Sequence, residues 1–199
     1  NLSVDGGTIK LDGNYPVGTG NVALGDQALS DGSLSGDNNI AIGQQALSAN
    51  TSGQQNVAIG RNAGISNTTG IRNILIGQST GNYNTSGSDN VGIGFNALYS
   101  NTTANLNTAV GFQSLYTNTT GGSNTAVGND ALKLNSTGSA NTAIGRGSLE
   151  NNTTSNNIAV GYLTLNANTS GQYNIAIGNY ALDANTTANY NIGIGYNAL

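Results

Sequence analysis

The pattern that most invites a chemical reading is Asn followed two residues later by Ser or Thr. It recurs at intervals of 16 or 17 residues at Asn50, Asn67, Asn84, Asn101, Asn118, Asn135, Asn152, Asn168 and Asn185. Asn-x-Ser/Thr is the acceptor pattern for N-linked glycans, so these nine are candidate glycosylation sites that would line one edge of a regular structure. The competing reading is turn chemistry, because Asn, Ser and Thr side chains bond their own backbone and Asn tolerates the left-handed conformation. Turn chemistry is the expected role.

Aromatic residues form the second pattern. Counting from the Asn that opens each repeat, Phe95, Phe112, Tyr162 and Tyr196 occupy position 6, Tyr99 and Tyr116 position 10, and Tyr173 and Tyr190 position 17. Phe95, Phe112, Tyr99, Tyr116, Tyr162 and Tyr196 are candidate ligand contacts, because stacked rings offer rigid amphipathic area to sugars or a host surface. The alternative role is local packing over a loop or a subunit seam.

Catalysis has little to work with. The chain has no His, Cys, Met or Trp, which removes imidazole and thiolate chemistry and leaves its many serines without the usual base. The acids Asp5, Asp12, Asp26, Asp31, Asp37, Asp89, Asp130, Glu150 and Asp183 fall at unrelated repeat positions. Asp26, Asp31 and Asp37 cluster near the first repeat, where solvated surface acids are favoured over a cation site. No phosphate-binding glycine loop and no Gly-Gly-x-Gly-x-Asp calcium repeat is present. The expectation is a chain that is not an enzyme and has no cofactor and no metal.

The elements that must position these residues follow from the repeat. An Asn-x-Ala/Gly-Ile/Val-Gly phrase begins at Asn21, Asn39, Asn56, Asn73, Asn90, Asn107, Asn124, Asn141, Asn157, Asn174 and Asn191. The spacing is 17 residues apart from one interval of 18 and one of 16. Position 2 is Val, Ile or Thr, position 4 Ile, Val or Leu, and position 5 Gly in every copy. Alternation with period two predicts a short strand whose core face is positions 2 and 4, with the small position 3 in close packing. Gly at position 5 fits a positive φ or close backbone approach. Positions 8 and 9, such as Ala46-Leu47 and Ser114-Leu115, predict a second short strand, and positions 12–15 a polar turn. No 3.6-residue period supports a helix, and helical repeats need about twice the length. The predicted fold is therefore all-β, a parallel β-solenoid of 17-residue coils stacked at about 4.8 Å, with position 1 forming an axial ladder of Asn amides.

Composition narrows the partners. Only 7% of residues are charged, the net charge is -4, and five Lys and Arg are scattered over 199 residues; no basic patch invites nucleic acid. No apolar run approaches the roughly 20 residues of a membrane span. A coil with so few large apolar residues is thin for a free-standing rod, so the small, apolar face is expected to pack against other copies of the chain. Residues 1–20 read as a β-rich lead-in and 21–199 as the array. The last copy stops at Leu199, nine residues into its unit, and the array is expected to continue.

Asn39-Ile40-Ala41-Ile42-Gly43 with Ala46, and Asn56-Val57-Ala58-Ile59-Gly60 with Ala63, resemble the "NSVAIG…S" repeat in the heads of YadA-type trimeric autotransporter adhesins. That resemblance implies a left-handed parallel β-roll with three chains side by side. The adhesin coil is a few residues shorter, and this chain departs from it at the Asn-Thr-Thr-Gly turn. Residues Val4 to Leu29 resemble the lead-in to such repeats in tail-fibre proteins of tailed phages. Both families imply an elongated, extracellular homotrimer or higher self-assembly, on a virion tail fibre or a cell surface, that attaches to a host glycan or protein receptor without membrane insertion. The alternatives are a glycosylated extracellular filament and an ice-binding solenoid. The latter would present the stacked Thr of positions 13 and 14, although ice-binding solenoids carry Thr-x-Thr on a strand and here the pair is adjacent on a turn.

Overall fold

The computed structural model describes residues 18–199, so most of the expected lead-in over 1–20 lies outside the described residues. Each repeat contributes one three-residue strand. In chain order these are β1 (Val22–Leu24), β2 (Ile40–Ile42), β3 (Val57–Ile59), β4 (Ile74–Ile76), β5 (Val91–Ile93), β6 (Thr108–Val110), β7 (Thr125–Val127), β8 (Thr142–Ile144), β9 (Ile158–Val160), β10 (Ile175–Ile177) and β11 (Ile192–Ile194). They form one parallel sheet in sequence order. Pairing is strictly in register, so Thr108 lies beside Thr125 and Ala109 beside Ala126. The chain is a parallel β-solenoid in which one repeat makes one rung.

The second strand expected at positions 8 and 9 does not form. Leu at position 9 is left-handed in rung after rung, with φ of 50° at Leu47, Leu115 and Leu132, and position 7 is left-handed as well. Such residues cannot extend a strand. Axial hydrogen bonding nevertheless continues around the whole coil. In the sixth rung Thr108 donates to Asn124, Leu115 to Ala131, Thr117 to Lys133 and Thr119 to Ser136, while Gly111 and Gln113 donate the opposite way, to Ile93 and Phe95. A left-handed Leu costs roughly 1–2 kcal/mol, and the bonds to both neighbouring rungs hold it there.

The strand's two faces are the reverse of the expected ones. Position 3 points inward: Ala41, Ala58, Ala109, Ala126, Ala143, Ala159 and Ala176 are fully buried. Positions 2 and 4 point outward, and none of them is buried on any of the eleven strands. The coil is too narrow for two branched side chains per strand. Its interior is filled by Ala at position 3, Ala, Ser or Thr at position 8, one Leu at position 9, and Asn at positions 1 and 12.

Two asparagine ladders run up this interior. Position 1 forms the expected one: Asn56 Oδ1 accepts from the Asn73 backbone N–H at 2.9 Å, and Asn73 Nδ2 reaches the same oxygen at 3.1 Å. Position 12 forms a second ladder, in which Asn67 Nδ2 donates to Asn50 Oδ1 and Asn84 Nδ2 to Asn67 Oδ1, each at 2.9 Å. The ladders converge on one carbonyl per rung. Gly70 O accepts from Asn56 at 2.8 Å and from Asn67 at 3.1 Å. Position 5 Gly is required for both anticipated reasons. Gly94 has φ +131°, and a Cβ there would lie 2.5 Å from the Gly111 carbonyl oxygen in the next rung.

The 16-residue repeat shows where the coil tolerates a deletion. Its position-12 residue, Asn152, donates to Thr154 O, two residues on, at 2.7 Å, instead of to a carbonyl three residues on. Asn141 Nδ2 meets the same oxygen at 2.7 Å. The residue is lost from the turn, and the carbonyl shared by the two ladders is kept.

Candidate functional site

The outward positions 2 and 4 build the largest chemically uniform surface. Over eleven strands they are all Ile, Val or Leu except Thr108, Thr125 and Thr142. At about 4.8 Å per rung this strip is about 50 Å long. It carries no charged residue, and its members are substantially exposed, for example Val22 at 49%, Ile59 at 36% and Ile177 at 41%. A parallel sheet is normally covered on both faces. Here the coil's own second limb covers one face, and the other is bare.

Aromatic residues border the strip. Position 6 follows the strand directly after Gly, and position 17 precedes the next strand's Asn. Phe95 and Phe112 stack with ring centres 5.6 Å apart and planes within 11°. Tyr173 and Tyr190 stack at 5.1 Å along the other border. Tyr162, Tyr180 and Tyr196 form an edge-to-face row at 5.4 and 6.0 Å. Arg146 extends this row, its Nη1 donating to the Tyr162 hydroxyl at 3.1 Å. Tyr180, at position 7, was missed in the sequence because it sits one place out of register with its neighbours.

Tyr99 and Tyr116 lie on the other limb, across the core from the strand. They stack at 5.0 Å, and Tyr83 meets Tyr99 edge-on at 5.2 Å. Among the described residues no ring contact joins this cluster to Phe95 and Phe112. The hydrogen bond with Tyr83, followed by burial and the neighbouring phenols, raises the Tyr99 hydroxyl above its ordinary pKa. Burial, then Tyr162 and Tyr196, raises Tyr180 in the same direction. The candidate ligand contacts therefore form two separate sets. Phe95, Phe112, Tyr162 and Tyr196 flank the apolar strip, and Tyr99 and Tyr116 face away from it.

Eight of the nine candidate glycosylation residues are turned into the coil. Asn50, Asn67, Asn84, Asn101, Asn118, Asn135, Asn152 and Asn168 are buried, and the nitrogen that would carry a glycan donates inward, as Asn118 Nδ2 does to Asn101 Oδ1 at 3.1 Å and Gly121 O at 2.9 Å. A glycan on any of the eight excludes this fold. Only Asn185 is not buried, and its Nδ2 still donates to Ala188 O at 3.1 Å. The hydroxyls that follow these Asn divide in two. Thr at position 13 donates up the axis, Thr51 to Thr68 O and Thr68 to Thr85 O at 3.0 Å each. Position 14 is exposed in most rungs, while Thr154 donates to Gly171 O at 2.7 Å.

Charged groups serve the coil. Arg72 grips Asp89 one rung away through Nε and Nη2, at 2.6 and 2.8 Å, and this hydrogen-bonded pairing lowers the Asp89 pKa. Asp31 accepts from the Ser33 hydroxyl and N–H, at 2.5 and 2.8 Å, which lowers its pKa too. Asp37 accepts from the Thr19 N–H at 2.6 Å. Asp31 and Asp37 are thus turned toward backbone and hydroxyl partners, and no cluster of three or more metal-ligating side chains occurs among the described residues. No helix among them is long and apolar enough to cross a membrane. No family model, curated protein or solved structure matches the chain, and its function has to be argued from its own geometry.

Proposed function

We propose that this chain is a structural and adhesive fibre segment: a rod that associates with copies of itself through the outer face of its sheet and projects an attachment surface from a phage tail or a cell. The observation that carries the reading is the uncharged aliphatic strip running the length of β1 to β11. A strip of about 50 Å by about 10 Å gives on the order of 500 Å², before the flanking aromatic columns are added. That approaches the roughly 800 Å² per partner of a standard interface on a molecule of 20.0 kDa.

A copy of the same chain is the partner that fits. It presents an identical corrugation with the same axial repeat, and a rotation axis parallel to the rod matches every rung to its equivalent. The resemblance to trimeric adhesin heads favours three copies and a left-handed coil. Attachment would then fall to surfaces outside the seam, of which the Tyr83, Tyr99 and Tyr116 cluster is the largest aromatic one, with avidity from several copies compensating for weak single sites.

Sedimentation at micromolar concentration tests the assembly, with a mass of a small multiple of 20.0 kDa expected. Charges on the strip, introduced as Ile59→Lys, Ile93→Lys and Ile177→Lys, should shift it to monomer. A native chain that sediments as a monomer would remove the reading. The adhesive part is tested by binding to host cells or immobilised glycans. Tyr99→Ala with Tyr116→Ala should reduce binding at least tenfold with the assembled mass unchanged, and unchanged binding would leave a purely structural rod.

A further inference from the structure

The three exceptions to the aliphatic strip are consecutive. Thr108, Thr125 and Thr142 occupy position 2 of β6, β7 and β8, between Val91 of β5 and Ile158 of β9. All three point outward and are partly exposed. Their backbone N–H groups bond along the axis, but their hydroxyls meet no partner among the described residues. Everywhere else on the sheet's outer face the side chains have no hydrogen-bonding group at all. The face is therefore an apolar track with one hydroxyl-bearing belt, three rungs tall and centred on β7, one rung past the middle of the eleven.

Such a track has a register problem. Eleven nearly identical rungs would let two copies slide past one another by one rung, about 4.8 Å, and keep apolar packing over most of the contact. Sheets and coiled coils of repeated sequence meet the same degeneracy, and a single polar layer in an apolar seam is the device that resolves it in coiled coils. We propose that Thr108, Thr125 and Thr142 set the axial register of self-association. This rests on the assembly reading above. With copies in register, the three belts lie at one height and the hydroxyls find one another or shared water. Displaced by three rungs, each copy's belt is enclosed by Ile and Val of its neighbours, and its hydroxyls lose water without gaining a partner.

The belt is not required by the coil itself. Ile40, Ile74, Ile158, Ile175 and Ile192 hold the same position in other rungs, so Thr→Ile there keeps the local fold. That makes the test clean. The chain has no cysteine, and a spin label on Gln54→Cys, on an exposed residue outside the strip, reports the distances between copies. In the native assembly a single narrow distance population is expected. In the Thr108→Ile, Thr125→Ile, Thr142→Ile variant the sedimenting mass should persist while the distribution gains populations displaced by whole rungs. A third chain moves the belt to β3–β5, with Val57→Thr, Ile74→Thr and Val91→Thr added to the three Thr→Ile changes. It should assemble with itself in one register and, in a mixture, meet native copies only with a displacement of three rungs.

A native distribution that already spans several registers, an unchanged single register in the triple Ile variant, or mixing of the moved-belt chain with native copies at no displacement would each overturn the proposal and leave self-association standing. A native chain that sediments as a monomer would overturn the assembly reading itself, and the register proposal with it.

Discussion

A buried asparagine is costly unless both ends of its amide are bonded; this chain buries two per rung, and among them only Asn135 Oδ1 and Asn168 Oδ1 are left without a partner among the described residues. Asn107 shows the division of labour: Nδ2 donates to Gly121 O at 2.9 Å, and Oδ1 accepts the Asn124 backbone N–H at 3.0 Å. Replacement by Leu, close in volume, would orphan the Asn124 N–H in the core. At about 1–3 kcal/mol per unsatisfied group, Asn107→Leu should lose about 2–4 kcal/mol by denaturant titration, and a neutral outcome would mean that the ladder does not hold the coil. Gly94→Ala should be at least as severe, at about 3–5 kcal/mol, because it combines a forbidden φ with a backbone collision. Ladders of amides also carry no proton-dependent charge. Asp31 and Asp89 have depressed folded pKa values, so their contribution is present above the ordinary 3.8 and lost as pH falls through the folded value. Tyr99 and Tyr180 are raised, so theirs is present below 10 and lost as pH climbs through the folded value. With no His in the chain, the melting temperature should be flat between about pH 5 and pH 9; a transition near pH 6.5 would contradict this.

At the scale of the coil, packing is conserved as volume. Position 3 is Ala or Gly except at Leu75, and position 9 is Leu except at Gly64 and Gly81. These exceptions are one exchange. A Cβ on Gly64 would lie 2.9 Å from Leu75 Cδ1, and one on Gly81 would lie 2.8 and 2.9 Å from its two methyls, so Leu75 fills from the strand side the space that two missing leucines leave on the other limb. Leu75→Ala should cost about 3–5 kcal/mol, since two neighbouring glycines leave nothing to collapse into the gap. Adding Gly64→Leu and Gly81→Leu should recover most of that loss, a coupling far from additive, measurable as the change in denaturation midpoint. The same element shows what the sequence could and could not reveal. The period, the strand and the position-1 ladder were legible because identical spacing demands identical place in the coil. The inside and outside of the strand were not: alternation in Ile40-Ala41-Ile42 names two faces but not which is core, and hydrophobicity chose wrongly. Only the coil's narrow bore, fixed by left-handed Leu47 and Gln45, makes Ala41 the residue that fits inside. Asn50 plays the turn role expected of it, its Nδ2 donating to Gly53 O at 2.9 Å; its burial was not legible, because it depends on the turn 17 residues away that stacks upon it.

Over the whole molecule each rung touches only its neighbours, so stability accumulates as a chain of nearest-neighbour couplings, and the weakest coupling governs where the rod opens. That coupling is identifiable. The buried apolar side chains form two clusters, one from Ala28 to Leu75 and one from Ala97 to Leu182. The break falls where Gly81 and Gly92 leave the β4 and β5 rungs without buried apolar contact, held by axial bonds such as Gly81 N–H to Ala97 O at 2.9 Å and Gly94 N–H to Ile76 O at 2.8 Å, by the two Asn ladders and by Tyr83 against Tyr99. Hydrogen exchange in mild denaturant should therefore show a protection minimum at Gly81 and Gly94, well away from either end of the array. The remedy is specific. A Cβ at Gly92 would reach Leu98 Cδ1 at 3.3 Å and Leu75 Cδ2 at 3.4 Å, bridging the clusters, but would collide with Thr80 Cγ2 at 2.6 Å. Thr80→Ala, which copies Ala46, Ala63 and Ala97 at the same repeat position, clears the way for Gly92→Ala. The double variant should remove the minimum and gain about 0.5–1 kcal/mol, the usual scale for Gly→Ala at an unstrained φ. Gly92→Ala alone should lose stability. A uniform exchange profile in the native chain, or a double variant no better than the single one, would show that axial hydrogen bonds rather than side-chain contacts set the cooperativity of the rod.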